Sequence, residues 1–197
     1  MRNGTFTKVG ILGLLLATVL AGGCSDSGSM TGSATGRVRM TMGGPVAAAG
    51  AVSAATLSDD DGRRIDAAVI TLSSILARNL DGELVDVSVD LPMDVDLIAL
   101  LQGRTVELPT GSLPVGSYDQ LVIVIRSLHV TLSDGTVIDV TPPGGGWTAI
   151  VRAEPFDVVE GQVTTVHLRF RPERAFRFIE GHLEFTPEFD CVVDDHD

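Results

Sequence analysis

Residues 36–190 predict an all-β fold: a two-sheet β-sandwich with one short helical turn near residues 94–102. Three observations carry this. Short runs of Val, Ile, Leu and Thr recur along the chain, mostly alternating with polar residues, and Gly, Pro, Asn or Asp turns separate them. One run, Leu121-Val122-Ile123-Val124-Ile125, is apolar on both faces, as in a strand at the centre of a sandwich. No period recurs that would indicate a solenoid or propeller.

The elements follow in order. Arg37 to Met42 alternates polar and apolar and predicts a first strand. Gly43 to Asp61 is Ala- and Gly-rich and reads as a loop, with a helical turn around Val46 to Leu57. Ile65 to Ile75 reads as a long strand with Ile65, Ala67, Val69, Thr71, Ser73 and Ile75 on one face. Asn79-Leu80-Asp81-Gly82 turns it into a second strand, Leu84 to Val89, making a hairpin. In Asp94 to Gln102, Leu97, Ile98, Leu100 and Leu101 cluster behind an Asp, which predicts one or two helical turns. Thr105 to Leu108 is a short strand, and Tyr118 to Leu132 is the strongest one. Ser133-Asp134-Gly135-Thr136 turns it into Val137 to Val140. Pro142 to Gly146 breaks the pattern, because proline removes a ladder donor. Three more strands are expected at Trp147 to Phe156, Gln162 to Phe170 and Phe176 to Phe185. Residues 191–197 read as an acidic tail.

Ahead of the sandwich lies an address. Arg2 and Lys8 precede an apolar run, and small residues end it. The uncharged stretch Val9 to Gly23 is 15 residues, short of the roughly 20 a spanning helix needs. Residues 1–23 therefore predict a signal peptide. Leu20-Ala21-Gly22-Gly23-Cys24 resembles the lipobox of bacterial lipoproteins. The resemblance implies cleavage before Cys24, a diacylglycerol on its sulfur, and a membrane partner through that lipid. Residues 24–35, rich in Gly, Ser and Thr, then read as a flexible tether. The expected location is the cell envelope, on the periplasmic face or the cell surface.

Composition narrows the partners. Lys plus Arg number 14 against 26 Asp plus Glu, a net charge of −12. Losing Arg2 and Lys8 with a signal peptide leaves −14, since residues 1–23 hold no acid. That balance argues against nucleic acid, which selects basic surfaces. There are two cysteines, Cys24 and Cys191. With lipid on Cys24, Cys191 has no partner in the chain; without lipid, a Cys24–Cys191 bridge would tie the ends together.

Leu113-Pro114-Val115-Gly116-Ser117-Tyr118 is an L-P-x-G-x-Y opening. Pro114 fixes one φ angle, Gly116 permits a turn, and Tyr118 can fold its ring over the core. Such openings occur in transthyretin-like (prealbumin-like) β-sandwiches. Around it stand Val95 to Gly103, with a D-L-x-x-L-x-x-G look, Pro155 to Gly161, Val166 to Phe170, and His182 to Pro187. That order resembles the bacterial and archaeal lipoprotein family called domain of unknown function 4382, over roughly Val38 to Pro187. The resemblance implies the sandwich and no assigned activity.

No nucleophile elbow, no H-x-x-x-H spacing and no visible acid/base pair suggests an enzyme. No cofactor is expected. His129, His167 and His182 read as ordinary strand residues. The expected function is a non-catalytic binding or structural surface module that presents loops to a protein or glycan partner. Trp147, beside Gly144 to Gly146, is the candidate ligand-binding residue. The alternative is divalent-metal binding through Asp59, Asp60, Asp61, Asp94 and Asp96, or through the Cys191-to-Asp197 tail. Neither acidic run has the spacing of a calcium loop.

Overall fold

The computed structural model describes residues 34–45, 57–58, 62–180 and 182–194. The expected signal peptide at 1–23, Cys24, most of the expected tether, all but Leu57 of the helical turn expected around Val46 to Leu57, Asp59, Asp60 and Asp61, and the last three residues lie outside the described residues. The rest is a β-sandwich of two main sheets and one small hairpin.

Strand β1 (Thr35–Gly43) buries Val38, Met40 and Met42 and turns Arg37 and Arg39 outward, as its alternation dictates. It pairs in parallel with β10 (Val163–Phe170) on one side. On the other it pairs antiparallel with β5 (Thr105–Leu108) and β6 (Ser112–Pro114), placed end to end along its edge. Pro109 to Gly111 separates β5 from β6. The gap is bridged by Val38 N–H donating to the Gly111 carbonyl and Thr110 Oγ1 donating to the Val38 carbonyl at 2.8 Å. β13 (Phe189–Asp194) closes the far edge of this first sheet against β10. Gly36 is required for close approach, because a Cβ there would run into the Val159 carbonyl.

The second sheet is built on two long strands, β2 (Ile65–Asn79) and β7 (Gly116–Leu132), paired antiparallel. β3 (Leu84–Asp86) and β4 (Met93–Asp96) share the outer edge of β2. β8 (Val137–Val140) and β9 (Trp147–Val158) share the outer edge of β7. Ile65, Ile70, Leu72 and Ile75 of β2 and Ile123, Ile125 and Leu128 of β7 meet Met40, Met42, Val166, Leu168 and Phe170 of the first sheet in one core. Leu121 to Ile125 lies mid-sheet as its composition requires. Even outward-facing Val122 is only 8% exposed.

Helix α1 (Leu97–Leu101) is the expected single turn, and it buries Leu97, Ile98 and Leu100. A second turn, α2 (Pro172–Ala175), leads into a hairpin of β11 (Phe176–Ile179) and β12 (His182–Phe185). Its Phe176 and Phe185 join Phe170, Phe189 and Trp147 in a run of ring contacts 5.1 to 6.0 Å apart.

Four expectations need correction. In β2 the strict alternation fails. Irregularities between Ile65 and Ala67 and between Thr71 and Ser74 reset the parity, so Ile65, Ala68, Ile70, Leu72 and Ile75 all point inward. The strand expected at 84–89 ends at Asp86. Val87 N–H still reaches Ile75 of the second sheet, but the Val87 carbonyl accepts from Gly111 and Val89 N–H donates to Pro109 of the first. The segment therefore crosses between sheets and joins them at one edge. Phe176 to Phe185 is two strands, because Glu180 takes φ 50° and the chain reverses there. The acidic tail expected from residue 191 is strand through Asp194, with Phe189, Cys191 and Val193 facing in.

Candidate functional site

The L-P-x-G-x-Y segment forms a corner. Tyr118 is buried, its hydroxyl donates to the Pro114 carbonyl at 2.9 Å, and its ring stacks on Phe156 at 5.8 Å between centroids. This is the geometry of a tyrosine corner, in which a side chain pins the backbone that precedes its strand. Burial raises the Tyr118 pKa, and the nearby Glu83 carboxylate adds to the rise. The corner fixes one end of the sandwich. There Leu80 and Val115 stand exposed beside a cleft that Asp81 and Glu83 also line.

The outward face of the first sheet carries the other polar constellation. Parallel pairing sets Thr41 beside His167, and β13 brings Asp194 to the far side. His167 Nδ1 lies 2.6 Å from Thr41 Oγ1, and its Nε2 lies 2.9 Å from Asp194 Oδ2. The imidazole thus ties three strands together across an open sheet face. His129 makes a similar tie, with Nδ1 2.6 Å from Asp139 Oδ1 between β7 and β8. The sequence carried no local sign of the Thr41–His167–Asp194 line. It depends on a parallel register between segments 126 residues apart.

Farther along the same face lies an open groove of about 560 Å³, lined by Arg37, Arg39, Glu107, Thr110 and Val163, with Met93 and Pro109 as apolar wall. Alternation along β1 places both arginines here. Arg39 Nε lies 3.7 Å from Glu107 Oε1, with both side chains more than half exposed. Arg37 has no ion pair among the described residues.

The residues singled out from the sequence are dispersed. Asp96 caps α1: its Oδ1 accepts from Ile98 N–H at 2.9 Å and Ala99 N–H at 3.1 Å. Asp94 Oδ1 accepts from Thr71 Oγ1 at 2.7 Å. Both carboxylates thus have structural partners. Among the described residues no three His, Cys, Asp or Glu side chains converge as a metal site. Trp147 is half-buried with its ring edge-on to Phe185, so it packs against the hairpin and does not stand free beside the glycines. Cys191 sits half-buried on β13 with no disulfide partner among the described residues, and burial pushes its pKa up to about 11.

The family model described as Domain of unknown function (DUF4382) matches residues 51–187. The chain belongs to this family. No curated protein and no solved structure matches it. The DUF4382 match takes in β2 through β12, so the second sheet falls wholly within it. It begins later than the resemblance at Val38 suggested. β1 and β13, which flank β10 in the first sheet, lie outside the matched stretch. The two groove arginines, on β1, are therefore features of this chain beyond the matched DUF4382 region.

Proposed function

We propose that this protein is an exported lipoprotein, anchored through Cys24, whose β-sandwich binds a ligand in the cell envelope without transforming it. The lipobox-like Leu20 to Cys24 supports the anchor, and the Gly/Ser-rich stretch after it supplies reach. The arginine-flanked groove on the first sheet carries the binding reading. It is a recess on a rigid strand face, where flanking side chains hold fixed spacing. The lining charges are two guanidiniums and one carboxylate. That set suits recognition of charge.

Fatty-acid labelling tests the anchor. Cells fed an alkyne-tagged fatty acid should label the parent chain and place it in the membrane fraction. The Cys24→Ser chain should take no label and leave that fraction. Equal labelling of both chains, or of neither, rejects the lipoprotein reading.

A further inference from the structure

We infer that the groove on the first sheet binds a small ligand in which an oxyanion, a carboxylate or a phosphate, is joined to an apolar body. This rests on the binding reading above and names its ligand class. Arg37 and Arg39 stand two residues apart on one strand face, so their Cα atoms are about 7 Å apart and their side chains share the groove. Guanidinium groups present forked donors that match planar oxyanions, and they hold their charge at any physiological pH.

Glu107 reports the chemistry the groove accepts. Its carboxylate already stands against Arg39, as an internal substitute for a ligand oxyanion. At 3.7 Å and well exposed, that pair is weak and readily exchanged. Arg37 makes no ion pair among the described residues. An oxyanion that engages Arg37 together with Arg39 gains a second charge-assisted contact, which Glu107 does not make. Met93, Pro109 and Val163 give the apolar body a wall, and the groove volume of about 560 Å³ fits a small ligand. The chain's net charge of −12 repels anions elsewhere, so capture here depends on these side chains.

Titration calorimetry of the full-length chain in detergent tests this with three probes of one length: hexanoate, hexyl phosphate and hexanol. At least one of the two anions should bind saturably at a single site, and hexanol about tenfold more weakly or worse. The stronger anion tells a carboxylate source from a phosphate source. Arg37→Gln and Arg39→Gln should each weaken the anion about tenfold, while Glu107→Gln, which removes the competitor, should strengthen it several-fold. All three side chains are exposed, and unchanged far-ultraviolet circular dichroism will show each variant folded. Hexanol binding as tightly as the anions would overturn the oxyanion assignment yet leave a binding groove. No saturable binding by either anion, arginine variants that bind like the parent, or weaker binding by Glu107→Gln would each overturn the inference. Fatty-acid labelling reads the anchor independently of all these outcomes.

Discussion

Tyr118→Phe isolates the corner's single hydrogen bond. The parent hydroxyl donates to the Pro114 carbonyl at 2.9 Å while the ring stacks on Phe156 at 5.8 Å. Phenylalanine keeps the ring, the burial and the stacking, and removes only the donor. A neutral hydrogen bond contributes about 0.5–1.5 kcal/mol net, so the loss should be about 1 kcal/mol. Tyr118→Ala also deletes the buried ring and leaves a cavity, a loss of about 3–5 kcal/mol by analogy with other aromatic truncations. The threefold or greater ratio between the two variants is the diagnostic quantity. Urea unfolding followed by tryptophan fluorescence, with Trp147 as the sole reporter, would measure both, and the slope should stay constant. In a thermal scan the Phe variant should melt about 2–4 °C below the parent. If Tyr118→Phe costs as much as Tyr118→Ala, the hydroxyl is organising the corner cooperatively and the additive reasoning fails. If it costs nothing, the corner stands on stacking alone.

Other outcomes follow from the same geometry. Ile123→Ala, in the fully buried centre of β7, should cost about 2–5 kcal/mol in denaturant unfolding, and a loss below about 0.5 kcal/mol would contradict its place in the core. Asp96→Ala removes the cap of α1 and should cost about 1 kcal/mol, with no change in that loss when Ca²⁺ is added. Cys191, with its pKa raised by burial from 9.0 to about 11, keeps its proton in the folded state above the pH where an unfolded thiol ionises. Its contribution to stability is therefore full below pH 9 and lost as pH rises from about 9 to about 11. A Cys191→Ala chain should lack that part of the alkaline decline, and the parent's iodoacetamide labelling should be slow at pH 8 until denaturant is added.

The second sheet was largely legible because its information is local. Leu121 to Ile125 announces a covered strand by being apolar on both faces. Asn79 to Gly82 and Ser133 to Thr136 announce their turns through residue types. The cluster Leu97, Ile98, Leu100 and Leu101 behind an Asp announces the helical turn, whereas the capping role of Asp96, singled out only as a metal candidate, came from the structure. Parity along β2 was not legible, since a bulge leaves no fixed residue signature and moves every later side chain to the opposite face. The switch of Val87 to Val89 between sheets was hidden for a different reason: the hydrogen bonds that define it go to Pro109 and Gly111. In β13 the alternation Phe189, Cys191, Val193 against Asp190, Val192, Asp194 was present, and acidity masked it. The groove arginines were visible as an alternating pair, but the groove itself depends on β10 and β5 being brought to either side of β1.

That placement of β1 also governs the order in which the protein can assemble. Its parallel partner, β10, begins at Val163, about four-fifths of the way along the chain. Closing so long a loop costs entropy before any ladder bond repays it, and such non-local pairings are slow to form. Residues 65–158, by contrast, hold the whole second sheet and can pair among themselves first. During synthesis β1 emerges before every other described strand and finds its parallel partner only after β10 has followed. Until then the edge that β10 will cover lies open, although β5 and β6 can already close the other, and an open edge is the condition under which strands pair with the wrong neighbour. Arg37 and Arg39 place two charges on such an edge, so the side chains assigned above to ligand binding would also guard the waiting strand.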